Sequence, residues 1–354
     1  MKMSKIEFNP NGVIPDNGNY FGMPVEADDA ALVLISAPWD ATTARRDGSS
    51  YAPDAIIEAS HKIDFYEPSA PYSWRKGIAT LPIDYSIQDL SHRLRSDAQR
   101  VVKVYEEMGL EGLDNIIYSR RLRHVNEGSL AVNENIYRQS QHWLERNKIV
   151  GLVGGDQSSA YGLMRAVAEK YDGVGILHID SKSDLREAYQ GFDYSHASVM
   201  HNVLRDFKGV SRLVSVGVRE FSPAEWERAE SDERIKFFTG QYIWSSHFEG
   251  KIWSKICEEI VAELPEKVYV SLDIDGLTIE CAPHNSTLIP GGLRFPEVVY
   301  LLGRIVAAGK EIVGFDLTEV VPDMEDKTDA EIAARMLFKL CSVALKNYDA
   351  EDVL

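Results

Sequence analysis

The stretch Gly175-Ile176-Leu177-His178-Ile179-Asp180-Ser181-Lys182-Ser183-Asp184-Leu185 decides the fold. Its first half is a short apolar run, rich in branched residues, that ends on an aspartate. That is the pattern of a buried parallel strand reaching its carboxyl end. In open α/β sheets ligands bind along that edge. The second half sets Asp180, Lys182 and Asp184 at alternate positions, so a lysine stands between two acids. Such a cluster at a strand end is a metal or catalytic site, or the remnant of one. His178 lies one alternation before Asp180, on the same strand face, and reads as a buried, hydrogen-bonded strand histidine.

Comparable apolar runs occupy residues 31–36, part of 77–84, 149–155, 213–218, 268–275 and 312–317. Helical stretches lie between them. One starts at 52 with Pro53 in its first turn, and others cover 91–109, 133–146, a segment from about 160, 295–308 and 329–346. Ser222-Pro223 reads as a helix N-cap followed by proline at the first helical position. Strands alternating with helices predict an α/β fold with a central, mainly parallel sheet and helices on both faces. Residues 1–30, with their Gly, Pro and Asn, read as an irregular arm wrapping the surface. Residues 31–354 contain no linker, low-complexity tract or repeat, and read as one domain.

The chain has 354 residues, 44% hydrophobic and 26% charged, with 38 basic against 55 acidic residues and a net charge of −17. That balance argues against nucleic acid as a partner, because phosphate binding needs a basic face. The longest basic run, Arg120-Arg121-Leu122-Arg123, reads as a solvated helix face. Cys257, Cys281 and Cys341 show no paired spacing and read as free thiols in a reducing compartment. The N-terminus lacks a signal-peptide core, and no apolar run approaches the roughly 20 residues of a membrane span. A cytoplasmic protein without membrane contact is the expectation.

Four of the predicted strands end in polar groups: Asp156-Gln157, Asp180 with Lys182 and Asp184, Asp273 with Asp275, and Glu319. All strand carboxyl ends of a parallel sheet lie on one edge, so these groups converge. Converging carboxylates repel one another and need protons or cations between them. A metal centre is the usual resolution.

These segments resemble the arginase, agmatinase and formiminoglutamase family, the ureohydrolases, over nearly the full length. Gly154-Gly155-Asp156-Gln157-Ser158 is similar to the family's Gly-Gly-Asp-His-Ser, and Asp180-Ser181-Lys182-Ser183-Asp184 to its Asp-Ala-His-x-Asp. Ser271-Leu272-Asp273-Ile274-Asp275-Gly276-Leu277 matches Ser-x-Asp-x-Asp-Gly-Leu, with Pro290-Gly291-Gly292-Leu293 at the family's distance beyond it. Gly314-Phe315-Asp316-Leu317-Thr318-Glu319-Val320 resembles the segment carrying the guanidinium-binding glutamate, here Glu319. His196, within Tyr194-Ser195-His196-Ala197-Ser198, sits where the family places a proton-shuttling or substrate-binding histidine. The resemblance implies a three-layer α/β/α fold and two Mn²⁺ ions bridged by hydroxide, which attacks a guanidinium carbon. It also implies a homo-oligomer.

The departures carry the functional expectation. Both metal-binding histidines are replaced, one by Gln157 and the other by Lys182. By resemblance the first ion would be held by Gln157, Asp180, Asp184 and Asp273. That is an all-oxygen set suited to one Mn²⁺, Mg²⁺ or Ca²⁺. The second would need residue 182 with Asp180, Asp273 and Asp275, but a protonated lysine has no lone pair. Its ammonium is expected to take the second ion's place among the acids, so two Mn²⁺ ions are not expected. Thr278-Ile279, where the family commonly has Asp-Pro, and Ala52 in the family's Gly-x-x-x-Gly-Pro suggest relaxed constraint. The sequence thus favours a pseudoenzyme, a regulatory or structural partner of an active paralogue or a sensor of a cationic guanidino compound. The alternative is a one-metal hydrolase of C–N bonds in linear amidines, with Lys182 as a fixed electrophile beside His196 and Glu319. Restoring both histidines, Gln157→His with Lys182→His, is expected to raise Mn²⁺ affinity substantially in a calorimetric titration; no gain would show that these positions are misaligned.

Overall fold

The computed structural model describes residues 7–43 and 46–354. Eight strands, β1 (Leu32–Ala37), β2 (Ile78–Thr80), β3 (Ile149–Gly154), β4 (Val174–Ile179), β5 (Val210–Val216), β6 (Ile235–Phe238), β7 (Lys267–Asp273) and β8 (Glu311–Thr318), form one sheet. Its order is β2-β1-β3-β8-β7-β4-β5-β6, and every pairing is parallel. The strands are nearly continuous runs of branched residues because both faces of a parallel sheet are covered. Leu177 and Ile179 enter one apolar cluster, with side chains from α1 (Ala52–Ser60), α8 (Trp253–Glu263), α9 (Phe295–Ala307) and α10 (Thr328–Lys346). Val174 and Ile176 enter the other, with α2 (Tyr85–Leu113), α3 (Ile116–Glu145), α4 (Tyr161–Lys170) and α5 (Val199–Asp206). The alternation of a strand thus builds three layers.

Local chemistry sets the helix starts. Ser222 and Glu225 form the capping box of α6 (Pro223–Ser231), with the expected proline in its first turn. Asp84 and Asn115 cap α2 and α3 through Ser86 N and Ile117 N. The structure departs from the sequence expectation in three places. The helices expected at 91–109 and 133–146 are the ends of a longer hairpin, because the polar stretch between them is exposed helix surface rather than loop. The helices α5 and α8 were not anticipated, nor were the four-residue edge strand β6 and α7 (Gly240–Phe248), which are short and weakly periodic. And the N-terminal arm does more than wrap the surface: Tyr20, Phe21 and Met23 are fully buried, and Phe21 packs edge-on to Phe65 and Phe338. Cys257 and Cys341 are buried free thiols, and Cys281 is half-buried. No described helix is long and apolar enough to cross a membrane.

The four central strands, adjacent in the order β3-β8-β7-β4, are the four that end in the polar groups picked out above. The turn after β3 lies hard against the segment after β1. Gly155 N donates to Ala37 O and Asp156 N to Trp39 O, at 2.8 and 2.7 Å. A Cβ on Gly155 would stand 1.8 Å from the Trp39 carbonyl oxygen, a backbone atom that cannot swing away. Gly155→Ala is therefore expected to lower stability by about 1–3 kcal/mol in urea denaturation, with the turn that carries Gln157 displaced.

Candidate metal and active site

Beyond β4 the chain turns sharply and folds its acids inward. Asp180 Oδ1 accepts from Lys182 N at 2.7 Å, and Asp184 adopts a left-handed φ of 51°. Beyond β7, Asp273 Oδ1 accepts from Asp275 N at 2.7 Å, and Asp275 Oδ1 accepts from Ser181 N at 3.1 Å. Beyond β8, Glu319 adopts a φ of 63°, and its Oε1 accepts from Gln157 N at 2.9 Å. Left-handed non-glycine residues cost of order 1–3 kcal/mol and cluster where function fixes geometry.

Two groups of side chains can each close on a single ion, with all ligand atoms of a group within 4.8 Å of one another. One is His178, Asp180 and Asp184, the other Asp180, Asp273 and Asp275. The Gln157 side chain is buried; its Nε2 donates to Ser271 Oγ at 3.2 Å, and its Oε1 has no partner. An orphaned buried oxygen is a donor that a hard cation can use. Burial pushes the Asp184, Asp273 and Glu319 carboxyls well above the usual range, and neighbouring acids push the same way. Burial also raises Asp180, but the hydrogen bond and charge of His178 outweigh it and hold Asp180 below its ordinary value. The residues fit a divalent ion at the first group and leave three carboxylates without a nitrogen donor at the second.

One expectation is corrected. The Lys182 ammonium does not sit among Asp180, Asp273 and Asp275. Its Nζ donates to Glu220 Oε2 at 2.9 Å, and the side chain is about a third exposed. Lys182 and Glu220 are partners in an isolated parallel bridge, which sets their side chains next to each other. An ammonium pairs with a half-hydrated carboxylate at less desolvation cost than with buried acids. Only the main-chain nitrogen of Lys182 reaches Asp180.

Lys182, Asp184, Arg186, His196, Glu220 and Thr287 line a cavity of about 130 Å³, which reaches the candidate ion groups through Asp184 and is not lined by Gln157, Asp180, Asp273, Asp275 or Glu319. Burial, then the charge of Lys182, pushes the His196 imidazole down to about 4, so it is neutral at neutral pH; its buried Nδ1 has no partner. The loops 42–50, 186–195 and 218–226 each contribute to the wall, through Thr43, Arg186 and Glu220 among others; Arg45 of the first loop lies outside the described residues. Three wall or support residues were not singled out from sequence. Glu220 and Thr287 carry no motif. Arg219 follows β5, and its Nη2 donates to the carbonyls of Asp275 and Ile289 at 2.7 and 3.1 Å. A basic residue just past a buried strand in an acid-rich edge was the available signal for it.

Parallel strand ends bearing interlocked carboxylates over a small polar cavity define a three-layer α/β protein of the ureohydrolase class. The arginase family profile matches residues 30–342, and the chain belongs to that family. It is 28% identical over 310 residues, 88% of each chain, to N(1)-aminopropylagmatine ureohydrolase of Thermus thermophilus. It is 24% identical over 314 residues to agmatinase of Bacillus cereus, covering 87% of this chain and 89% of the relative. The agmatine ureohydrolase structure from Thermoplasma volcanium superposes with a TM-score of 0.68 at 23% identity, over 94% of this chain and 96% of that one, which shows the shared fold.

Burial raises Asp156, Asp275 and Asp316 to about 7, whereas unfolded aspartates titrate near ~4. Between those values the fold holds protons that the unfolded chain has released, so these three groups make stability fall as pH rises from ~4 through about 7. The chelator-treated chain is expected to melt at lower temperature at pH 8 than at pH 5.5 in a thermal scan, and added Mn²⁺ to raise the melting temperature more at pH 8.

Proposed function

We propose that the chain is a metal-dependent hydrolase of a guanidino compound, working with one divalent ion. The carrying observation is the convergence of Gln157, Asp180, Asp184, Asp273, Asp275 and Glu319 at the ends of four adjacent strands, where their buried charge calls for a cation. The relatives support the chemistry, since two that match over nearly nine-tenths of this chain are named N(1)-aminopropylagmatine ureohydrolase and agmatinase. The reading as an inactive partner rested on the loss of both histidines, to Gln157 and Lys182; it loses one support, because the Lys182 ammonium does not fill the second ion's place but pairs with Glu220.

The resemblance would have Asp180, Asp184, Asp273 and Gln157 hold the ion; in the structure Asp184 groups with Asp180, and Asp273 with Asp180 and Asp275, so Asp180 is the carboxylate common to both groups. A divalent cation there supplies an activated water at neutral pH and neutralises the acids around it. The rest falls to the chain itself. The acids that line the cavity, Asp184, Glu220 and Glu225, favour a cationic guanidinium, and the resemblance would make Glu319 its carboxylate partner, although Glu319 does not line this cavity. Water adds to the guanidinium carbon, the C–N bond to the substrate's chain breaks, and the leaving amine takes up a proton while urea departs. His196, neutral and on the cavity wall, is the group placed to carry that proton. Lys182, held by Glu220, fixes a positive charge at the wall.

Purified chain is expected to carry one divalent ion by elemental analysis and to release urea from agmatine, arginine or another guanidino compound. A metal-loaded chain releasing neither urea from these nor formamide from formiminoglutamate would overturn the reading. His196→Ala is expected to lower kcat about 10²-fold or more with the bound ion retained.

A further inference from the structure

The sequence predicts an all-oxygen ion site once both family histidines are gone. The structure restores a nitrogen. His178 is fully buried on β4, with Nε2 2.9 Å from Asp180 Oδ2 and 3.9 Å from Asp184 Oδ2. At the other side of the ring, Nδ1 lies 3.2 Å from Ser215 Oγ. Ser215 is the register partner of His178 on β5, and Ser271, which holds the Gln157 amide, is its register partner on β7. The imidazole is thus held by a side chain of one neighbouring strand, while its register partner on the other strand holds the Gln157 amide, whose Oε1 has no partner.

This is how a metal-binding histidine is set up: one ring nitrogen is fixed by a hydrogen bond, and the other faces acids. In the protein without an ion, a proton on Nε2 bridges to Asp180 Oδ2 at 2.9 Å; an ion replacing that proton, with Nδ1–H donated to the Ser215 hydroxyl, would meet the Nε2 lone pair. Two acceptors come that close only with a proton or a cation to share. Asp184 shares the same space within ligand distance.

We propose that His178 supplies the imidazole ligand of the ion, with Asp180 and Asp184, in place of the histidine lost at position 157. The proposal rests on the ion site invoked under the proposed function, and it changes which ion that site takes. A mixed imidazole and carboxylate set suits first-row transition ions such as Mn²⁺, Co²⁺ or Ni²⁺, whereas Mg²⁺ and Ca²⁺ favour oxygen alone. In this arrangement Gln157 is an additional oxygen donor, and the nitrogen has moved from the turn after β3 to the body of β4.

The test uses the full chain, stripped by chelator and reloaded with Mn²⁺ or Co²⁺. Pulsed electron paramagnetic resonance of the Mn²⁺ form is expected to show coupling to an imidazole ¹⁴N. His178→Gln is expected to abolish that coupling and to weaken Co²⁺ binding by about 100-fold or more, since loss of even an outer-shell partner costs ~10–100-fold. His196→Ala, which removes the histidine on the cavity wall, is expected to keep the coupling. A tenfold excess of Mg²⁺ over Co²⁺ is expected to leave the Co²⁺ absorption bands unchanged. Should His178→Gln fail to fold, the wild-type and His196→Ala spectra still decide. An ion bound with no ¹⁴N coupling, or coupling lost in His196→Ala, would overturn the proposal and leave the hydrolase reading standing. A chain that binds no ion would overturn both.

Discussion

Carboxylates crowded at one edge of a sheet, away from water, are the constraint on which the rest of this structure depends. An acid buried among acids is unfavourable unless a proton or cation shares its charge. The chain answers in several ways. Main-chain N–H groups point at Asp180, Asp273, Asp275 and Glu319. His178 faces Asp180, and Arg219 braces the loop beneath Asp275. Asp316 is satisfied by the hydroxyls of Tyr269 and Ser271. What remains, Asp184 above all, is held far from its ordinary titration range by burial.

The scaffold tolerates this because the elements around it are rigid. Gly276 shows how tightly: a Cβ there would stand 2.7 Å from the Asp180 backbone nitrogen, so the turn after β7 is pressed against the end of β4. The carboxylates of one segment are bonded to the main chain of another, as with Glu319 on Gln157 and Asp275 on Ser181. The segments therefore hold one another, and the acids inherit that order.

Much of this was readable from the sequence. Branched apolar runs ending in acids gave the central strands, and the parallel sheet followed from their alternation with helices. The four polar-ended strands do lie side by side. What sequence could not supply was side-chain direction. Lys182 carried the strongest expectation, yet a bridge to Glu220, thirty-eight residues further on, turns its ammonium away from the acids. His178 read as a structural histidine, and it is buried and hydrogen-bonded as expected; that one of its partners is a cluster acid depended on which face of β4 meets the turn after Asp180. Short or weakly periodic elements such as β6, and the exposed middle of the α2–α3 hairpin, were hidden because their patterns do not separate strand or helix from loop.

The cross-segment hydrogen bonds also set the order in which such a site can decay. Replacing Asp180, Asp273 or Glu319 uncaps a turn and strands a backbone donor, so it harms the fold whether or not an ion is used. Residue 182 bears no such duty through its side chain: only its main-chain nitrogen serves Asp180, and any side chain leaves that contact intact. Drift at a histidine position is therefore nearly silent structurally, while drift at an acid is not. A chain of this architecture can change its metal, or its need for one, and still keep the carboxylates that hold its turns.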